Sequence, residues 1–156
     1  MADLRIPPAI IFGAAAGAQH VLSRRRSPTR QSALLALPPF LASGWLVSGS
    51  LLEFFRQRTS VDPVKVSSAR TLVRTGPNRL SRNPMYTGLA GVLVAHACLR
   101  RSGSSLLPVA AFIAYIDRFQ IRAEESALTE MFGAEYEHYR DEVPRWLGIG
   151  SCPGRR

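Results

Sequence analysis

Twenty consecutive residues, Ala33 to Leu52, carry no charge. A helix of that length is what a bilayer core of about 30 Å requires. Three further apolar stretches, at 6–22, 84–99 and 104–116, are shorter and need polar flanks, tilt or local thinning to span. Pro38 and Pro39 are expected to kink the longest stretch or to end it locally. Lipid gives apolar surfaces no drive to associate, so close backbone approach must pack such helices. Small residues stand ready for it: Gly44, Ser48 and Gly49 in the second stretch, Gly88, Ala90, Gly91 and Ala95 in the third, Ala110, Ala111 and Ala114 in the fourth. The expected fold is all-α: an integral membrane bundle of about four transmembrane helices, with a C-terminal amphipathic helical tail over 118–147. At 156 residues the chain reads as one domain, 1–156.

The first stretch also admits a second reading. Its short Arg5-containing start and the run Ala14-Ala15-Ala16 fit a secretory signal, whereas Asp3 and the closely following Arg24-Arg25-Arg26 fit a retained helix.

The 20 Lys+Arg against 11 Asp+Glu point to nucleic acid or to an anionic membrane as partner. The arginines cluster between apolar runs, and no helix-turn-helix, zinc-finger or RNP-type pattern occurs, so anionic headgroups are favoured and nucleic acid is set aside. With four spans, the N-terminus, the 53–83 loop and the C-terminal region share a side holding fourteen of the twenty basic residues. By the positive-inside tendency that side is cytoplasmic. Cys98 and Cys152 form no disulfide framework, and the terminal Cys-Pro-Gly-Arg-Arg is no prenylation box. His20, His96 and Cys98 lack metal-ligand spacing and read as packing or interhelical hydrogen bonds, so no metal is expected. The absence of a Gly-x-Gly-x-x-Gly strand-turn-helix argues against a soluble nucleotide-binding sheet.

Two polar segments flank the last two apolar stretches. In 74–88, Asn83 precedes Pro84, which pushes its backbone away from helix and starts a new helix at Pro84. Asn83 then stands at the N-cap with its side chain beside unpaired backbone N–H groups. Arg79, Arg82 and Tyr86 complete a polar mouth, although alone this is also how a membrane helix anchors to headgroups. In the second segment Arg122, Glu124 and Glu125 follow the last apolar run, with Glu125 placed to share a face with Arg122. Alone, it is an acidic first turn of a surface helix. Leu128, Met131 and Phe132 continue as an apolar stripe, Gly133 breaks or caps the helix, and Tyr136, Tyr139 and Val143 resume the stripe.

Taken together the segments read Gly-Pro-x-Arg-x-x-Arg-Asn-Pro-Met-Tyr-x-Gly, one helical hairpin, then Arg-x-Glu-Glu-x-x-Leu-x-x-x-Phe-Gly-x-x-Tyr-x-x-Tyr-x-x-x-Val-Pro-Arg-Trp. In order and spacing, 73–147 resembles the C-terminal signature of the integral-membrane methyltransferases that include isoprenylcysteine carboxyl methyltransferase and the phospholipid N-methyltransferases. The resemblance implies an enzyme that takes S-adenosyl-L-methionine from the cytosol and a lipophilic small-molecule or lipid acceptor from the bilayer. Carried over by position, Arg82, Asn83, Pro84 and Tyr86 line the cofactor site, and Glu124 and Glu125 close it. The leading acceptor is the carboxylate of an isoprenylcysteine-like compound, with Arg122 as its bidentate clamp. The alternative is a phospholipid amine, whose proton Glu124 or Glu125 would take. A non-catalytic membrane protein that keeps the family fold and holds anionic lipid stays open as well. Asn83 stands where many members carry His, and Gln120 where relatives often carry Arg.

Overall fold

A computed structural model describes residues 6–57 and 71–147. The Arg5-containing start, the 58–70 part of the basic loop and the Cys152 tail lie outside the described residues. Regular structure within them is helical: α1 Pro8–Ser23, α2 Arg30–Arg56, α3 Pro84–Leu99, α4 Leu106–Tyr115, α5 Arg122–Phe132 and α6 Ala134–Glu142.

A capping box starts α2. Thr29 accepts from the Ser32 N–H, and the Ser32 hydroxyl accepts from the Thr29 N–H. The helix then runs unbroken through Pro38 and Pro39, contrary to a local end there. The two prolines orphan only the carbonyls of Leu34 and Leu35, and the uninterrupted helix beyond supplies its own ladder. Among the described helices α2 alone is long and apolar enough to cross a membrane, while α3 is apolar but shorter. Only 22% of the most apolar window of α2 is buried, and Leu34, Phe40 and Trp45 point outward, so its surface suits lipid better than a soluble core.

The inner face of α2 meets α3 through glycine. A Cβ on Gly88 would stand 2.6 Å from Val47 Cγ2 and 3.0 Å from the Ser43 carbonyl; one on Gly91 would stand 2.2 Å from Ser43 Oγ. Gly44 faces open space, and Ala110, Ala111 and Ala114 are exposed, so these four do not pack helices as expected. The reason is phase: α4 turns Val109, Phe112 and Ile116 inward, which puts its alanines on the outer side. Replacing Gly88 by Val is therefore expected to destabilise the bundle by about 1–3 kcal/mol through overpacking. Gly44→Val should leave it unchanged, and thermal melting of both variants in detergent checks the contrast.

Helix α1 packs on α3 and α4. Phe12 and Phe112 meet edge to face at 6.1 Å, and the buried Gln19 amide donates to the carbonyls of Leu93 (2.9 Å) and Ser105 (2.8 Å). His96 reaches Gln19 Oε1 at 3.2 Å, an interhelical hydrogen bond as expected.

The last apolar stretch gives way to Asp117 and Arg118 after Ile116, but the helix does not end there. Helix α4 continues through a π-helical turn, Ile116–Ile121, directly into α5. The helix stops at Gly133, whose φ of 50° and ψ of −126° suit glycine and strain other residues. The chain folds back there, and Tyr136, Tyr139 and Val143 bury against Leu72, Leu128 and Phe132. Met131, expected on that stripe, is exposed instead. The tail is thus two short helices folded against the bundle's end.

Candidate functional site

The 74–83 segment is clamped before α3 begins. Gly76, at φ 61°, opens a 3₁₀ turn, Gly76–Arg79, and Pro77 sits so close to Gly49 that a Cβ there would lie 2.8 Å from its Cγ. From the other side the Tyr139 hydroxyl donates to the Asn78 carbonyl at 2.6 Å.

Past α6, Pro144 prevents further helix and leaves 143–147 as a strap across this segment. The Pro144 carbonyl accepts from the Arg82 N–H (2.8 Å), and the Arg145 carbonyl accepts from Ser81 Oγ (3.0 Å) and Asn83 Nδ2 (3.1 Å). Asn83 does occupy the N-cap of α3, yet its side chain caps nothing. The strap carbonyl requires a donor, and the amide NH₂ supplies it in place of the expected cap.

Between α1, α2, α3 and the tail lies a cavity of about 430 Å³. Pro8, Phe12, Phe54, Met85, Leu89 and Leu128 make its apolar walls. At its polar end stand Asn78, Arg82, Asn83, Tyr86, Glu124, Glu125, Tyr136 and Tyr139. Residues 84–86, 124–125 and 82–83, read from two distant segments, therefore converge on one space.

The carboxylates divide the work. Glu124 Oε1 accepts from the Tyr86 hydroxyl and from Gln120 Nε2, each at 2.6 Å. Glu125 Oε1 pairs with Arg82 Nη1 at 3.1 Å, and its two oxygens accept the Nε and Nη2 of Arg145. This Arg–Glu–Arg group is partly dry: the side chains of Arg82 and Glu125 are 10% and 14% exposed. Arg82 Nε is buried without a hydrogen-bond partner among the described residues. Its Nη1 reaches the Tyr136 hydroxyl at 3.4 Å. Burial, reinforced by Glu125 and opposed by Arg82, pushes the Tyr136 phenol up to about 12, so it stays a neutral hydroxyl at physiological pH.

Arg122, expected as an anion clamp, is exposed and does not line the cavity; nor does Arg79. Glu125 lies one helical turn from Arg122, but its carboxylate pairs with Arg82 and Arg145 from other elements. Three residues behind the cavity wall were given no role by the sequence: Asp117, and the Arg145 and Trp146 of the Val-Pro-Arg-Trp string. Arg145 Nη1 donates to both oxygens of Asp117 (3.2 and 3.1 Å), and the Trp146 indole N–H donates to Asp117 Oδ1 at 2.8 Å. Burial alone would raise the Asp117 carboxyl, but the Trp146 and Arg145 hydrogen bonds outweigh it and hold it below its ordinary range. The hydrogen bonds to Glu125 in turn raise Arg145 above its ordinary value. Pro144 in the Val-Pro-Arg-Trp string marks an extended strap, but nothing local ties Arg145 to residues 20 and 28 positions away.

The sequence model of the phospholipid methyltransferase family matches residues 32–135, two thirds of the chain. The match covers α2 from Ser32 onward, the 74–88 segment, the hairpin and both glutamates, and it ends before the strap. A Haemophilus influenzae protein named only as uncharacterized is 40% identical over 63 residues, which is 40% of this chain and the whole of that relative. No solved structure matches.

Proposed function

The chain belongs to the phospholipid methyltransferase family, and from that premise we propose that it moves the methyl group of S-adenosyl-L-methionine to a lipophilic acceptor drawn from the bilayer. The observation that carries this reading is one cavity with apolar helical walls and a polar end made by Arg82, Glu124 and Glu125.

The residues present fit the cofactor's chemistry. The cavity's volume is in the class of small-molecule sites, about 300–1,000 Å³. Arg82, whose Nε has no partner among the described residues, suits the carboxylate of the amino-acid head; Glu124 and Glu125 suit its ammonium and sulfonium charges. When bound, the cofactor supplies a methyl already activated on positive sulfur. What the protein adds is alignment and dryness: the Tyr86 hydroxyl and the Gln120 amide fix Glu124, and the apolar walls exclude water. In such a transfer a lone pair of the acceptor would take the methyl group in line, the electrons of the C–S bond remaining with sulfur. The basic excess of the 53–83 loop and the tail supports a cytosolic mouth for this cavity.

Two acceptor classes suit this lining. A carboxylate, as in an isoprenylcysteine-like compound, needs a cation beside it and no base; with Arg122 outside, Arg82 is the guanidinium among the described lining residues. An amine is favoured by the charge of that lining, two carboxylates against one guanidinium, and would lose its proton to Glu124. Membranes holding the protein and methyl-labelled S-adenosylmethionine should accumulate label in their lipid fraction. Base-labile label means a carboxyl ester, and label in amine headgroups means N-methylation. Unlabelled lipid, with prenylated and amine acceptors both supplied, would count against methyl transfer.

A further inference from the structure

We propose that Arg145 is a positioning residue that fixes Glu125 in the cavity wall and so keeps Arg82 available to ligand, a role that rests on the methyl-transfer reading above. It lies outside the matched family region and does not line the cavity, so it acts from behind.

Arg145 joins both halves of the site. Its carbonyl holds Ser81 and Asn83, the start of α3, while its guanidinium holds Glu125 on α5. The third nitrogen, Nη1, grips Asp117 in the π-helical turn, and Trp146 secures Asp117 from the next position. Because Arg145 takes both oxygens of Glu125, Arg82 contributes a single nitrogen, Nη1, to that carboxylate. Its Nε is left without an acceptor although the side chain is nine-tenths buried. A buried guanidinium N–H with no partner is unfavourable until an anionic or carbonyl oxygen arrives. Guanidinium and carboxylate prefer a two-bond fork. Without Arg145, Glu125 is therefore free to close that fork on Arg82, which occupies the donors a ligand needs. The affinity should fall although no residue lining the cavity has changed.

The test uses the full chain in lipid nanodiscs, titrated with S-adenosylhomocysteine and melted in parallel: wild type, Arg145→Ala, Arg145→Lys and Asp117→Asn. Arg145→Ala should weaken binding about tenfold or more. Lys, which returns a charge to Glu125 without the fork, should recover part of that loss. Asp117→Asn leaves the fork on Glu125 in place, so it should lower the melting temperature while keeping Kd within about threefold. A folded Arg145→Ala with wild-type affinity would make Arg145 a mere brace and overturn the proposal; if Ala does not fold, wild-type affinity in Arg145→Lys overturns it equally. Wild-type protein that melts cooperatively and binds nothing removes the methyl-transfer reading, and this role with it.

Discussion

Glu125→Ala should be the most damaging single change in the protein, lowering stability by about 3–5 kcal/mol and abolishing cofactor binding. Two guanidiniums converge on this carboxylate, Arg82 from the segment before α3 and Arg145 from the strap. Removing it leaves both cations facing each other in a partly dry space, where their repulsion is poorly screened. Gln is a poor rescue, because its NH₂ presents a donor where Arg82 and Arg145 already donate. Thermal melting should register both variants, with Ala worse. Unchanged melting of Glu125→Ala would mean that the triad does not hold the tail to the bundle.

Arg82→Ala separates function from folding. Glu125 keeps the Arg145 fork, and the contact from the residue 82 N–H to the Pro144 carbonyl does not depend on the side chain. The fold should therefore persist with a modest loss in melting temperature. Ligand affinity should drop by about tenfold to a hundredfold, the worth of one or two charged hydrogen bonds. A titration of the folded variant decides it. Equal affinity in wild type and Arg82→Ala would move the anionic end of the ligand elsewhere.

Features legible in the sequence were local ones. Asn83-Pro84 before an apolar run set the start of α3 at the observed residue, and Gly133 marked the fold-back between α5 and α6. Leu128, Phe132, Tyr136, Tyr139 and Val143 lay at helical spacing and share one cluster. Where readings diverged, a longer-range cause intervened. Arg122 and Glu125 sit three apart, a spacing that pairs on an isolated helix, but two cations from other elements draw Glu125 inward. The π-helical turn has no sequence signature, yet an extra residue in a turn rotates the downstream helix by about 100°. It falls just where α5 must aim Glu124 and Glu125 at the cavity. The alanines of α4 looked like packing residues by type alone; only the phase set by Val109, Phe112 and Ile116 shows that they face outward. Arg145 could not be assigned for the same reason, since its partners come from 64 and 62 residues earlier on its backbone side and from 20 and 28 earlier on its side-chain side.

The central claim is that the cavity between the 74–88 segment and the α5 glutamates holds a methyl donor. Calorimetric titration of the wild-type chain, in nanodiscs of neutral lipid so that headgroup charge contributes nothing, tests it most directly. Saturable one-to-one binding of S-adenosylhomocysteine, weakened in Arg82→Ala, is the predicted result. A flat titration of wild-type protein that still melts cooperatively would contradict the claim and favour a non-catalytic membrane protein with the family's fold.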